Sequence, residues 1–150
     1  MKTKKNLLPA CILLLLVVFV LACKKPKSGN YTYEESGKKS THLKEGGGTY
    51  TITTKDGFSN TADARIKNKS NSTLYIDNVA WDINGDSVTN RNSSTTITNS
   101  TSSIKSSYSY MGLISGKKSI EGTFIRVQTY YSFTNIRVDS ASGTFKYQKK

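Results

Sequence analysis

Between residues 31 and 147 the apolar side chains recur at every second position, and nowhere after residue 23 do they recur at i, i+3, i+4 and i+7 over three turns. The clearest stretch is Thr61 to Lys67, where Ala62, Ala64 and Ile66 alternate with Asp63, Arg65 and Lys67. On an extended chain, successive side chains point to opposite faces, so this stretch has one apolar face and one charged face. The same spacing recurs in Tyr31/Tyr33, Tyr50/Ile52, Leu74/Ile76, Val79/Trp81/Ile83, Tyr108/Tyr110, Ile136/Val138 and Phe145/Tyr147. Turn-forming runs fall between them: Lys55-Asp56-Gly57, Asn68 to Ser72, Asn84-Gly85, Ser115-Gly116, and Ser140 to Gly143. Asn84-Gly85 fits a type I′ hairpin turn, since both residues tolerate positive φ. The expected fold class is all-β: a single antiparallel β-sandwich or small β-barrel around one core, with helix confined to an N-terminal signal segment.

Three stretches need separate treatment. Leu74 to Ile83 is long enough to cross such a domain, and its inward face switches between Ile76 and Val79; a bulge near Asp77-Asn78 would produce that switch. Thr89 to Ser107 has 15 Ser, Thr or Asn among 19 residues, with only Ile97 and Ile104 apolar. It buries little, so a loop or exposed hairpin is expected to about Ser102, with strand from Ser103. Gly37 to Gly48, rich in Lys, Ser and Gly, reads as a connection. There is no convincing internal repeat.

The N-terminus is different in kind. Residues 1–22 hold 16 of the 53 apolar residues, leaving a lean remainder suited to one domain and too short for two. Lys2, Lys4 and Lys5 precede an apolar run from Leu7 to Ala22, broken by Pro9 and closed by a small residue before Cys23. This is the layout of a secretory signal peptide, and the run is short for a membrane-spanning helix; an uncleaved anchor with an incidental cysteine is the alternative. Val20-Leu21-Ala22-Cys23 resembles the lipobox of bacterial lipoproteins. The resemblance implies cleavage before Cys23, a diacylglycerol on its sulfur and an acyl chain on the new amino group, with no other cofactor. It divides the chain into a signal peptide (1–22), a lipidated basic tether (23–29) and a β domain (30–150). Cys11, inside the apolar run, would be lost with the signal peptide. The remaining cysteine would be a thioether, so the mature chain would have no intramolecular disulfide, Cys-ligated zinc or thiol nucleophile.

Two or three acyl chains give stable membrane anchoring. Lys24, Lys25 and Lys27 in the tether add attraction to anionic headgroups. In the enterobacterial sorting pattern an Asp after the lipidated cysteine retains a lipoprotein at the inner membrane. Lys24 at that position therefore implies the outer membrane if the source is Gram-negative. The surface-export signal of Bacteroidetes-type lipoproteins is acidic just after the cysteine, where this chain is basic, so the resemblance implies the periplasmic face rather than the cell surface. Residue usage resembles that of small lipoproteins of Bacteroidetes-type bacteria. By strand spacing the β domain loosely resembles lipocalins, although Trp81 lies mid-chain and the Gly-x-Trp expected near the start is absent.

Little in the chain points to chemistry. His42 is the only histidine, and no serine lies in a G-x-S-x-G elbow, so neither a hydrolytic triad nor a zinc site is expected. Asp82 to Asp86 superficially fits a calcium loop, but Gly85 comes too early and no Glu follows at the bidentate position. The carboxylates Asp63, Asp77, Asp82, Glu121 and Asp139 read as solvated faces rather than a catalytic pair. Gly46-Gly47-Gly48 lacks the Lys-Ser/Thr of a phosphate loop. Asp86-Ser87-Val88 and Asp139-Ser140-Ala141 resemble O-glycosylation acceptors of Bacteroidetes-type bacteria.

From Cys23 onward 19 Lys+Arg face 10 Asp+Glu. This excess suits an anionic membrane, polysaccharide or acidic envelope protein rather than nucleic acid, which an exported chain seldom meets. Fourteen aromatic residues follow Cys23, and Tyr130 and Tyr131, being adjacent, face opposite ways. The candidate ligand or partner contacts are therefore Trp81, Tyr130 and Tyr131, with no catalytic, cofactor or metal residue. The expected function is a lipid-anchored, non-enzymatic envelope module, structural or partner-binding. The alternative is a lipocalin-like carrier of a small apolar or sugar ligand.

Overall fold

The computed structural model describes residues 25–99 and 101–150, so Cys23 and the expected signal helix lie outside the described residues. The fold is all-β, a closed eight-stranded antiparallel barrel. Its strands are β1 (Gly29–Glu45), β2 (Thr51–Asn68), β3 (Thr73–Ile76), β4 (Val79–Asn84), β5 (Ser87–Asn99), β6 (Ser102–Ser115), β7 (Ser119–Tyr131) and β8 (Asn135–Lys149). Each strand pairs with its successor, and β8 returns to β1, for example through Tyr33 opposite Tyr147. Of the two expected architectures the chain therefore adopts the barrel, in which closure removes the edges a sandwich would leave.

The strands are unequal, and this shapes the molecule. β3 and β4 are four and six residues long, whereas the other six run from 13 to 18. β2 meets β3 only over Ile66–Asn68, and β5 meets β4 only over Ser87–Thr89. The ring is thus complete at one end. Beyond it the six long strands continue as a curved sheet, open along one side between β2 and β5.

The closed end holds the core. Tyr31, Ile66, Leu74, Val88 and Ile120 are fully buried there, with Trp81, Phe124, Phe145 and Tyr147 nearly so. Each such burial contributes roughly 1.5–3 kcal/mol. The aromatic rings touch mainly edge to face, Trp81 lying 5.9 Å from Phe145 and 6.1 Å from Tyr147. An eight-stranded ring is just wide enough to be filled by its own side chains, and here aromatic rings fill it.

Two pairs of facing glycines let neighbouring backbones approach closely, Gly37 opposite Gly143 and Gly112 opposite Gly122, and Gly112 also leaves space for the Phe145 ring. A Cβ on Gly143 would overlap the Ser36 carbonyl oxygen and the Gly37 Cα, and one on Gly122 would overlap the Met111 carbonyl oxygen. On the outer face Thr32, Glu34, Thr61, Asp63, Arg65 and Lys67 alternate with the inward residues. On β6 and β7 the outer face also carries exposed Met111, Leu113 and Ile125.

Several sequence expectations need correction. Leu74 to Ile83 is not one bulged strand but a hairpin, with Asp77 (φ 49°) and Asn78 (φ 68°) forming its turn. Asp77 also accepts from the Arg65 N–H at 2.7 Å and donates its own N–H to the Arg65 carbonyl at 3.0 Å, which closes off the last paired stretch of β2. At Asn84-Gly85 a hairpin does form, but Asn84 stays in the strand and only Gly85 has positive φ (61°).

Lys55-Asp56-Gly57 and Ser140 to Gly143 are strand interiors, not turns, because long ladders to β1 hold them: Gly57 faces Lys38 and Ser140 faces Ser40. For the same reason His42 lies in β1, between Ile52 and Val138, and the true connection starts at Gly46. Thr89 to Ser107 takes the exposed-hairpin form, with Arg91–Asn99 exposed throughout. Ala62 shares the inward register of Ala64 and Ile66 but is exposed, because it lies past the end of the closed ring.

The segment before β1 is fastened to the closed end. Pro26 is fully buried, the Lys27 N–H donates to the Lys117 carbonyl at 2.9 Å, and the Tyr31 hydroxyl donates to the Lys27 carbonyl at 2.6 Å. Among the described residues every ladder and every core residue lies between Pro26 and Lys149.

Candidate binding site

Above the aromatic core the same inward register continues with different chemistry. In β1, Tyr33 and Glu35 are followed by Gly37, Lys39 and Thr41. In β7, Phe124 is followed by Arg126, Gln128 and Tyr130. In β8, Ala141 and Asp139 face Arg126 and Gln128. These positions form an open trough of about 670 Å³ whose lining includes Glu35, Lys39, Tyr108, Arg126, Gln128 and Asp139. A recess of about 260 Å³ adjoins it at the level of the core, lined by Ile76, Trp81, Asn90, Tyr108, Tyr110 and Tyr147. Another groove, of about 540 Å³, runs outside the Gly37–Gly143 crossing, but its Ser, Thr and Glu121 lining is exposed.

Glu35 and Arg126 organise the boundary between core and trough. The Glu35 side chain is 4% exposed, and its Oε1 accepts from Arg126 Nη2 at 2.9 Å. Its Oε2 accepts from the Tyr33 hydroxyl. The Arg126 guanidinium lies 4.6 Å from the centroid of Phe124 and 5.9 Å from that of Phe58, and Lys39 Nζ lies 4.8 Å from Phe58. Tyr110 stacks on Phe124 at 5.5 Å.

The resulting electrostatics resist titration. Burial, and then the bond to the Glu35 carboxylate, push the Tyr33 phenol far above its usual range. Burial raises Tyr110 in the same way. For Arg126 burial works against the charge, but the bond to Glu35 and the neighbouring charges outweigh it and the pKa rises. Higher in the trough, burial opposes the charge of Asp139, yet bonds from Arg137 at 3.0 Å and Thr41 at 2.8 Å hold its carboxyl below the usual carboxylate range.

Two features leave polar groups available to another molecule. The first is backbone. Among the described residues no strand pairs with Thr51–Arg65 on the side of β2 away from β1, nor with Asn90–Asn99 on the side of β5 away from β6. The Arg65 groups bonded to Asp77 face that free side of β2, so those of Asp63 and Thr61 face it as well. On β5 the Ser93 N–H is taken up by the neighbouring Asn92 side chain at 2.8 Å, as on an unpaired edge. The second is Asn90. This residue is buried, its Nδ2 donates to the Ala80 carbonyl at 2.6 Å, and its Oδ1 has no partner among the described residues.

The three aromatic residues singled out in the sequence do not share one surface. Trp81 is buried and lines the recess, 5.5 Å from Tyr110. Tyr130 is inward at the far end of the trough, its hydroxyl bonded to Gln128 at 2.8 Å and its ring 5.5 Å from the Arg137 guanidinium. Tyr131 is 41% exposed on the outside, opposite Ile136.

Sequence reasoning missed Glu35, Arg126 and Asn90. Glu35 and Arg126 are 91 residues apart and occupy alternating positions that suit a solvated face equally well. The only local signal was the parity shared with Tyr31 and Tyr33, and with Phe124. No protein-family model matches the chain, and no curated protein matches its sequence.

Proposed function

We propose that this chain is an envelope lipoprotein, held through acyl chains on Cys23 at the periplasmic face of an outer membrane. Its barrel acts as a non-catalytic module that binds an extended segment of a protein partner along the open trough. The observation that carries this reading is the pair of strand edges flanking the trough that pair with no other strand among the described residues, Thr51–Ala64 and Asn90–Asn99. An unpaired edge presents a row of N–H and C=O groups to which an extended peptide can add as a further strand, while side-chain pockets select the sequence. Exposed Ser, Thr and Asn along β5 keep that edge soluble when it is empty.

The test uses prolines that remove edge donors without touching the ladders to β1 or β6. Thr61→Pro and Thr95→Pro should leave the barrel folded and abolish complementation of a deletion phenotype. Full complementation by both variants, in folded protein, would refute edge pairing. Cys23→Ser should block lipidation and normal processing; unchanged processing and localisation would refute the anchor.

Asn90 favours a second reading, the carrier of a small ligand. A buried acceptor without a partner among the described residues, beside Trp81 and Tyr110 in a recess of about 260 Å³, suits a ligand with one donor and an apolar or sugar ring. A small molecule co-purifying with wild type and lost in Asn90→Leu would decide for the carrier.

A further inference from the structure

The closed end of the barrel gathers charge from segments that are remote in sequence. Residues 25–30, 66–75, 82–89, 113–120 and 147–150, which form its strand ends and loops, hold eight lysines against two aspartates. The rest of the described chain holds ten basic against eight acidic residues.

Hydrogen bonds tie these segments into one surface. Lys25 Nζ bonds the Ser70 carbonyl at 2.8 Å, and the Asn68 N–H bonds Ser28 Oγ at 3.0 Å. The Lys149 N–H donates to the Lys118 carbonyl at 2.8 Å, and Lys149 Nζ to the Ser28 carbonyl at 2.9 Å. Lys27, Lys67, Lys69, Lys117, Lys118 and Lys150 are exposed. Lys150 is paired with Asp63 at 2.6 Å, whereas Lys25, Lys69 and Lys149 bond neutral oxygens and have no ion-pair partner among the described residues. Lys25, which belongs to this patch, follows Cys23 and the apolar run Leu7 to Ala22 closely in the sequence.

We infer that the closed end is a membrane-docking face that lies against anionic phospholipid headgroups, so that the barrel stands with its open trough directed away from the bilayer. Attraction of a basic surface to anionic lipid falls off within a Debye length, about 8 Å at physiological ionic strength. A chain that enters the membrane just upstream of Lys25 holds its closed end within that reach and its open end outside it. The inference rests on the membrane-anchored reading for its setting, but the charge patch can be tested without the anchor.

Residues 24–150 contain the complete ring and no cysteine. This chain should float with vesicles of phosphatidylcholine mixed with phosphatidylglycerol, and not with phosphatidylcholine alone, and added salt should release it. Lys69→Gln/Lys117→Gln/Lys118→Gln/Lys149→Gln should weaken binding by more than about tenfold. Removing four lysines from the open half, Lys38→Gln/Lys44→Gln/Lys55→Gln/Lys105→Gln, should change it by less than about threefold. If the first variant loses its fold by circular dichroism, the exposed turn pair Lys117→Gln/Lys118→Gln gives the same reading with a smaller loss.

Orientation is read with a fluorophore on Ser72→Cys or Ser59→Cys, which headgroup-labelled quenching lipid should quench strongly at the first position and little at the second. Equal losses from the two lysine sets, equal quenching at the two sites, or binding indifferent to anionic lipid would each overturn the inference. Normal processing of Cys23→Ser would instead refute the anchor alone.

Discussion

The two halves of this barrel share strands, register and alternation, and differ in what fills them. At the closed end eight strands surround a space the size of their own side chains, and Tyr31, Ile66, Leu74, Trp81, Phe145 and Tyr147 occupy it. In the open half six strands continue, and the inward positions turn to Lys39, Thr41, Arg126, Gln128 and Asp139. A ring excludes water and rewards apolar burial, whereas a sheet open along one side admits water and tolerates charge. The short β3–β4 hairpin sets the boundary, and the Glu35–Arg126 pair marks it in side chains.

The contrast predicts unequal responses to the same insult. Ile66→Asp buries a carboxylate in the closed ring and should cost about 4 kcal/mol or more. Lys67→Asp, next to it on the outer face, should stay within about 0.5 kcal/mol. Ile104→Asp, inward but in the open half, should cost about 1 kcal/mol. Urea unfolding measures all three, and equal losses for Ile66→Asp and Ile104→Asp would erase the distinction between the halves.

Alkali probes the closed end and the boundary together. Burial raises the phenols of Tyr31, Tyr33, Tyr110 and Tyr147. Above pH of about 10 the unfolded chain releases these protons and the folded chain keeps them. Stability should therefore be level below that pH and fall above it, by up to about 1.4 kcal/mol per pH unit for each phenol held neutral. In a titration followed by tyrosinate absorbance these residues should ionise only as the barrel unfolds; smooth ionisation of every tyrosine in folded protein would contradict the burial.

At the boundary itself, Arg126→Ala leaves Glu35 with only Tyr33 as partner and should cost about 2–3 kcal/mol, less than a fully buried pair because Arg126 is 38% exposed. Glu35→Leu/Arg126→Leu should recover most of that loss, and a double-mutant cycle reads the coupling. No recovery would mean that the pair does more than satisfy a buried charge.

In the open half Asp139→Asn should cost less than about 1 kcal/mol. Because the folded carboxyl sits below its usual range, the contribution is complete above the pKa of the unfolded chain and is lost as pH falls through the folded value. The difference between Asp139→Asn and wild type should accordingly close in acid, where both are uncharged. A difference that persisted there would point to shape rather than charge.

How much of this was legible varies from residue to residue. Ala62 to Lys67 alternates so regularly that its strand and facing are read directly, and Ile66 is fully buried as its parity requires. The ends of the long strands were not legible. Gly57 and Gly143 carry local turn signals, yet they are strand interiors because neighbours on both sides of β1 hold the chain extended. Asp77 and Asn78 carried a usable signal, since both tolerate positive φ, but an apolar run on either side made a single strand look equally good. At the candidate site Trp81 and Tyr130 stood out as large aromatic residues, while Glu35, Arg126 and Asn90 looked like any polar position on an exposed face.

By itself the sequence determined the period of two, hence the class, the two faces of each strand and an apolar interior, because side-chain direction along an extended chain follows from backbone geometry alone. Only the tertiary structure decided that the ring closes at one end and stays open at the other. It also decided that Glu35 meets Arg126 and that eight lysines share one surface. Those outcomes depend on register between strands more than a hundred residues apart, as Tyr31 is from Lys149, which is settled by the ring as a whole and written in no single segment of the chain.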